Sequence, residues 1–328
     1  MHTAYILVRN LESTAGQLRF RTFWLWQIRQ GDVTNLSRAR QVFPHGNARF
    51  GDWVLEREYD LVPPSKGPAP SGFGRIPSDV EDILLLLRLF KSGDLCFVQV
   101  AIRDDAGSLF SQYPYRVMSD IGTTLPYFLS EGECNAWESL HSELTRTPAW
   151  DSRWFDIARR FFLYGGAKEF NWYIEEESNI EQNEVDRVVD YMVALEATLV
   201  PERDFVGRCL RERAARLLLR DGAAGSEVKD LLREFYDIRS TIAHGSPLSQ
   251  THRKTLTKYR CDFEDTVREL LKAALRSLPR DERDRRERLS HFWSPSDSDR
   301  AQKVAEGFGA ITSCDQRKRL IARLAQKS

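Results

Sequence analysis

The sequence lacks the features that mark secreted, membrane-bound and metal-dependent proteins. Its five cysteines are scattered, odd in number and never spaced as Cys-x-x-Cys, which fits neither a disulfide framework nor a zinc site. The most apolar internal run, residues 83–87, is far shorter than the roughly 20 residues of a membrane-spanning helix. We therefore expect a protein of the reducing cytoplasm, without a membrane segment, a metal or another cofactor.

The chain also lacks an excess of charge of either sign. Lysine plus arginine and aspartate plus glutamate each number 48 among 328 residues, so a surface that binds nucleic acid has to be a local concentration of arginine. No P-loop, Gly-x-Ser-x-Gly, His-Glu-x-x-His or paired-carboxylate pattern is present. This argues against a nucleotide or small-molecule hydrolase.

Local patterning divides the chain into a β-rich part and a helical part. Short β-like stretches occur at residues 5–8, 18–20, 53–55 and 96–102. Later apolar residues recur at helical spacing, which predicts helices at residues 127–146, 153–164, 183–199, 203–220, 226–244 and 254–278. The expected fold class is α+β, with a β-rich mixed domain at residues 1–125 and an all-α bundle at residues 126–278. Residues 279–328 are predicted to form a charged linker and a C-terminal helix.

One run near the end of the bundle carries groups that can do chemistry. It is Phe235-Tyr236-Asp237-Ile238-Arg239-Ser240-Thr241-Ile242-Ala243-His244-Gly245. Arginine supplies a fixed cationic fork for a phosphate, and histidine, with an ordinary pKa of about 6.5, can transfer a proton at cellular pH. On a uniform helix Arg239 and His244 lie about 140° apart around the axis, too far for one stripe. One chain therefore offers half a site at best, and two chains paired about a two-fold axis would complete it.

Three sequence blocks follow one another in the helical part. They are Val193-Ala194-Leu195-Glu196, the arginine-bearing stretch Arg213-Ala214-Ala215-Arg216, and the run from Tyr236 to Gly245. Their order resembles the Apea-like branch of the HEPN superfamily, over roughly residues 130–278. The resemblance implies a helical bundle that commonly dimerises and, in many relatives, a metal-independent endoribonuclease of defence, stress or RNA processing. It also implies that Arg239 and His244 are the catalytic residues, and Ser240 stands where active relatives often carry a larger polar residue.

RNA cleavage is chemistry that an arginine and a histidine can support without a metal. The 2′-hydroxyl of RNA is its own nucleophile, so an enzyme has to remove its proton, stabilise the phosphorane and protonate the leaving 5′-oxygen. Glu196 is expected to hold Arg239 or Arg216, or else to face water at the edge of the core. Asp237 is another possible partner of Arg239, and a helix-end capping role is the structural alternative for His244.

The residues expected to contact RNA are Arg208, Arg213, Arg216, Arg253 and Lys254. Interleaved acidic residues leave an ordinary solvated helix face as the alternative, and a polar loop is the alternative at residues 252–254. The leading hypothesis is a homodimeric endoribonuclease that acts on RNA, with tRNA as a candidate substrate, and whose β-rich domain responds to an unknown trigger. The competing hypothesis is a catalytically inactive HEPN-like module for dimerisation or binding, which the neutral net charge favours.

Overall fold

The computed structural model describes residues 2–43, 48–60, 75–104, 106–114, 126–166, 182–218 and 222–295. An N-terminal antiparallel sheet region is followed by a helical region, which confirms the predicted α+β fold class. The predicted C-terminal helix lies outside the described residues. None of the helices in these ranges is long and apolar enough to cross a membrane.

A six-stranded sheet organises the N-terminal part. Its strands are β1 (His2–Arg9), β3 (Gln17–Arg19), β4 (Trp24–Gln27), β5 (Trp53–Tyr59), β6 (Cys96–Asp104) and β7 (Leu109–Pro114). They lie in the order β3-β4-β5-β1-β6-β7, with every neighbouring pair antiparallel. β2 (Leu11–Glu12) and β8 (Tyr127–Phe128) form a separate parallel pair. The four predicted β-like stretches overlap β1, β3, β5 and β6, which confirms them.

Helices lie against both faces of this sheet. α1 (Val33–Val42) begins at Asp32, whose carboxylate accepts a hydrogen bond from the Asn35 amide at 2.9 Å. The buried face of α1 shares an apolar cluster with Leu7 in β1. α2 (Arg75–Phe90) belongs to the cluster on the opposite face, with Ile6 of β1. Neither helix was predicted from the sequence. In α2 the reason is that a run as continuously apolar as residues 83–87 has no clear period.

Seven α-helices follow in the described part of the chain. They are α3 (Cys134–Leu144), α4 (Arg153–Gly166), α5 (Gln182–Leu199), α6 (Val206–Leu217), α7 (Gly222–Ala243), α8 (Gln250–Ser277) and α9 (Glu282–Phe292). The predicted bounds of α4, α5, α6 and α8 are within four residues of the observed ones. α7 begins at Gly222, four residues before the predicted Ser226. β8 and a 3-10 turn occupy the first residues of the predicted helix at 127–146.

α9 shows that part of the predicted charged linker is built into the bundle. Leu289 is fully buried and Arg285 is 3% exposed. The Arg285 guanidinium donates to the carbonyl oxygens of Ala197 and Thr198, at 2.8 and 2.7 Å. These carbonyls belong to the last turn of α5, where a cation is favourable. α9 therefore fixes the end of the helix that carries Glu196.

One apolar core extends from the α2 face of the sheet into the helical part. Two buried arginines connect the same regions. Arg88 of α2 donates to the carbonyl oxygens of Leu95 and Leu163, both at 2.9 Å. Arg187 of α5 binds two carboxylates: Asp94, which precedes β6, and Glu264, which lies in α8. The division into two domains near residue 125 stays a prediction, and these contacts cross that position.

Candidate functional site

The predicted run lies where α7 ends and the chain turns into α8. The Ser246 amide donates to the Thr241 carbonyl at 3.0 Å, and the Gly245 amide donates to the Ile242 carbonyl at 2.9 Å, which together form a Schellman motif. Gly245 has a φ of +69°, a left-handed conformation that favours glycine. The motif leaves His244 exposed at the end of the helix. This confirms the predicted end of α7.

Arg239 lies near the end of α7 and forms an ion pair with Glu196 of α5. Its Nη2 donates to Glu196 Oε2 at 3.1 Å, and the two side chains are 27% and 18% exposed. Burial raises the pKa of the Glu196 carboxyl above its usual range, and Arg239 partly opposes that rise. Among the described residues, neither Arg239 Nε nor Glu196 Oε1 has a hydrogen-bond partner. A single hydrogen bond thus orients Arg239, which retains donor capacity for a second anion.

Asp237 does not pair with Arg239 and instead contacts His252 in the first turn of α8. The distance from Asp237 Oδ2 to His252 Nε2 is 2.9 Å, and the His252 side chain is 15% exposed. Asp237 and Arg239 lie about 160° apart around α7, whereas His244, seven residues after Asp237, returns to the Asp237 side. Arg239 therefore contacts α5, whereas His244 lies on the side of α7 that carries Asp237. A polar loop was the alternative at residues 252–254, but His252 lies in α8, and no local pattern connects it to Asp237.

A second group of residues beside Arg239 was not predicted. The backbone of α6 at Gly207 packs closely against the Tyr236 ring. A Cβ at residue 207 would lie only 2.9 Å from Tyr236 Cε1. Burial raises the pKa of the Tyr236 hydroxyl and Glu196 adds to the rise, while Arg239 and Arg211 oppose it. The close approach of α6 to α7 thus brings Arg211 into the electrostatic surroundings of Tyr236. The glycine at residue 207 was the sequence signal for this approach.

The contacts between α6 and α7 determine which basic residues lie near Arg239. Gly207 meets Tyr236, and Glu212 binds Lys229 at 2.6 Å, so the two helices run antiparallel. Arg216 therefore lies at the other end of this helix pair, about 20 Å along α7 from the level of Arg239. It does not belong to the same surface as the candidate site.

Three of the other predicted RNA-binding residues lie at the same end as Arg239. Arg208 is in the first turn of α6, exposed, with its guanidinium 5.2 Å from the centre of the Trp293 ring. Arg253 and Lys254 are in the first and second turns of α8. Arg253 is half-buried and Lys254 is exposed. These residues place positive charge around the end of the bundle that carries the predicted run.

Arg213 is a correction to the predicted RNA-binding set. Its side chain is completely buried. Its Nη1 donates to the Leu199 carbonyl at 2.8 Å, and its two terminal nitrogens contact the Glu202 carboxylate at 2.6 and 2.7 Å. Its Nε donates to the Trp293 carbonyl at 3.2 Å. Because the guanidinium donates to protein acceptors inside the bundle, the structure removes Arg213 from the residues that can reach RNA.

Ser240 is half-buried beside Arg239, and its carbonyl accepts a hydrogen bond from the His244 amide at 3.1 Å. It therefore takes part in the last turn of α7. In the described ranges, no group of three or more His, Cys, Asp or Glu side chains is placed to hold a metal ion. The groups that the site does offer are an oriented guanidinium, an exposed imidazole and nearby cations.

No protein-family model, curated protein or solved structure matches the chain. The molecule is an α+β protein whose helical part carries Arg239 and His244 near one end of α7. A guanidinium held by a carboxylate suits a phosphate, and an imidazole at a helix end suits proton transfer.

Proposed function

We propose that this chain is a metal-independent endoribonuclease of HEPN type that acts in defence or stress response. The observation that carries the proposal is the arrangement at the end of α7. Arg239 is 27% exposed and oriented by Glu196 at 3.1 Å, and the same helix ends at the exposed His244. These two residues supply the cation and the proton carrier that cleavage of an RNA backbone requires.

The proposed reaction is attack of a ribose 2′-oxygen on the adjacent phosphorus. One histidine removes the 2′-hydroxyl proton as the oxygen–phosphorus bond forms, and a second histidine protonates the departing 5′-oxygen. The products are a 2′,3′-cyclic phosphate and a 5′-hydroxyl. Arg239 stabilises the negative charge that develops on the phosphorane oxygens, and Glu196 limits the orientations of its guanidinium.

A composite site between two chains follows from the directions of these side chains. Arg239 contacts α5, whereas His244 shares a face of α7 with Asp237, which contacts α8. A two-fold axis near the end of α7 would bring both kinds of side chain from both chains into one cleft. Mixing Arg239→Ala chains with His244→Ala chains tests this arrangement. Mixed dimers should recover part of the activity, whereas a site contained within one chain would recover none.

The substrate class in this proposal is single-stranded or loop RNA, with tRNA as a candidate. Exposed Arg208 and Lys254, together with the half-buried Arg253, would contact backbone phosphates at the same end of the bundle. The sheet region would bind the trigger that releases or restrains the nuclease. A nuclease that harms its own cell needs such restraint, which gives the sheet region a role.

The test is incubation of the purified protein with total RNA in EDTA, beside Arg239→Ala and His244→Ala. We expect the wild type to cleave RNA and His244→Ala to lose about 10²- to 10⁴-fold in rate, the range of general acid–base catalysis. Arg216→Ala is the matched control, because it removes a basic side chain from the opposite end of the α6–α7 pair. RNA left as intact by the wild type as by both variants, under conditions that include a candidate trigger, would contradict the proposal.

A catalytically inactive module for dimerisation or binding is the second candidate. The observation that favours it is that Arg239–Glu196 and Asp237–His252 both connect α7 to a neighbouring helix, which gives each pair a structural role. In that case Arg239→Ala would lower stability, the wild type would cleave no RNA, and size-exclusion chromatography would still show a dimer.

A further inference from the structure

A groove of about 590 Å³ runs between α7 and α8, away from the turns that carry Arg239. Val228, Leu231 and Tyr259 supply its apolar lining, and Tyr259 is 36% exposed although it is a large aromatic residue. Six of its ten lining residues are acidic and none is basic: Glu227, Asp230, Glu234, Asp262, Asp265 and Glu269. We call this feature the α7–α8 groove.

Neighbouring cations neutralise the acidic rim only in part. Four of the six rim carboxylates pair with a neighbouring cation: Asp230 and Glu234 with Arg233, Asp265 with Arg268, and Glu269 with Lys272. In the Asp230–Arg233 pair both side chains are more than half exposed, and such surface pairs contribute little to stability. Among the described residues, Glu227 and Asp262 form no ion pair. Carboxylates on two facing helices repel one another, and a cationic occupant would relieve that repulsion. The groove therefore favours an occupant with an apolar stripe and basic flanks.

The chain itself contains a segment with this chemistry. Residues 316–327 read Gln-Arg-Lys-Arg-Leu-Ile-Ala-Arg-Leu-Ala-Gln-Lys, with five cations and no acid. Leu320, Ile321 and Leu324 recur at the spacing of one helical face, so a helix here would present an apolar stripe flanked by arginine and lysine. We propose that residues 316–327 dock in the α7–α8 groove of the same chain. The acidic rim would receive the cations, and the apolar lining would receive the stripe.

The dimensions permit this docking. The groove follows residues 259–269 of α8, which is about 15 Å of helix, and a twelve-residue helix is about 18 Å long. Residues 296–315 connect the end of the described chain to the segment and can extend over about 66 Å. The groove lies on the earlier turns of α7, so its occupation leaves the surface around His244 open. The inference is therefore independent of the proposed nuclease function.

Two native cysteines make the test possible in the full chain. Cys261 is exposed beside Asp262, and Cys314 lies two residues before the segment, whereas Cys96, Cys134 and Cys209 are buried. Nitroxide labels on Cys261 and Cys314 report their separation by pulsed electron paramagnetic resonance. Docking predicts one narrow distance distribution, which broadens at high salt as the rim is screened. A broad distribution in the wild type at low salt would overturn the proposal.

Charge reversal connects the measured distance to the groove. Glu227→Lys/Asp262→Lys should broaden the distribution, while the control Glu131→Lys/Glu287→Lys, which reverses two exposed acids elsewhere, should leave it narrow. Circular dichroism confirms that each variant is folded. A distribution that stays narrow in the Glu227→Lys/Asp262→Lys variant would overturn the assignment to this groove. Loss of the narrow distance on dilution with unlabelled protein would show docking between chains and overturn the proposal in its present form.

Discussion

Arg187 forms ion pairs that join the sheet region to the helices. Among such pairs, we expect the loss of those of Arg187 to lower the free energy of unfolding most. Its side chain is 3% exposed, and it contacts Asp94 Oδ1 and Glu264 Oε2, both at 2.8 Å. Glu264 keeps a second cation, because Arg268 binds it at 2.8 Å, whereas the Asp94 side chain is fully buried. Arg187→Met leaves a buried carboxylate without this cation, which costs about 3–5 kcal/mol. Urea unfolding followed by circular dichroism measures the loss.

Two further variants separate the buried charge from the lost volume. Arg187→Met/Asp94→Asn removes the charge that the single substitution strands, so it should recover part of the lost stability. Arg233→Met is the matched surface control, because Arg233 is 57% exposed in its pair with Asp230. It should change the free energy of unfolding by less than about 1 kcal/mol. A loss of stability in Arg187→Met no larger than in this control would show that the Arg187 ion pairs do not stabilise the fold.

Two other predictions concern stability. Burial raises the pKa of Asp82 from 3.8 to about 6, so the stability that its protonation contributes is present at pH values below about 4 and is lost as the pH rises through 6. Asp82→Asn should flatten this part of the stability curve in urea unfolding at fixed pH, and an unchanged slope would contradict the shift. Gly207→Ala places a Cβ 2.9 Å from the Tyr236 ring and should cost about 1–3 kcal/mol in thermal unfolding. Adding Tyr236→Leu should recover part of that loss. A Gly207→Ala variant as stable as the wild type would contradict the prediction, because it would mean that α6 shifts away from the ring without cost.

The parts of the site that could be predicted are those with a local signal. Gly245 and the apolar spacing before it predicted the end of α7, because the left-handed residue that follows a helix is usually glycine. Glu196 borders a buried stripe, where a carboxylate needs a cation, and the structure supplies Arg239, one of the two expected partners.

The parts that could not be predicted depend on contacts between helices. Asp237 and His252 are 15 residues apart, and the periodicity of either helix alone does not show that they meet. In the sequence, Arg213 cannot be told apart from the exposed arginines near it. It is buried because Leu199, Glu202 and Trp293 supply acceptors for its guanidinium. The sequence shows the charge of a side chain but not whether the acceptors that permit its burial will surround it.

Formation of 2′,3′-cyclic phosphate ends on RNA in EDTA is the direct test of RNA cleavage by this protein. The wild-type protein should produce these ends, and His244→Ala should lower their rate of formation by about 10²- to 10⁴-fold. His291→Ala, which removes an exposed histidine from α9, should leave the rate unchanged. Equal rates in His244→Ala and the wild type, or no cyclic ends with the wild type, would contradict the proposal that this chain cleaves RNA through His244.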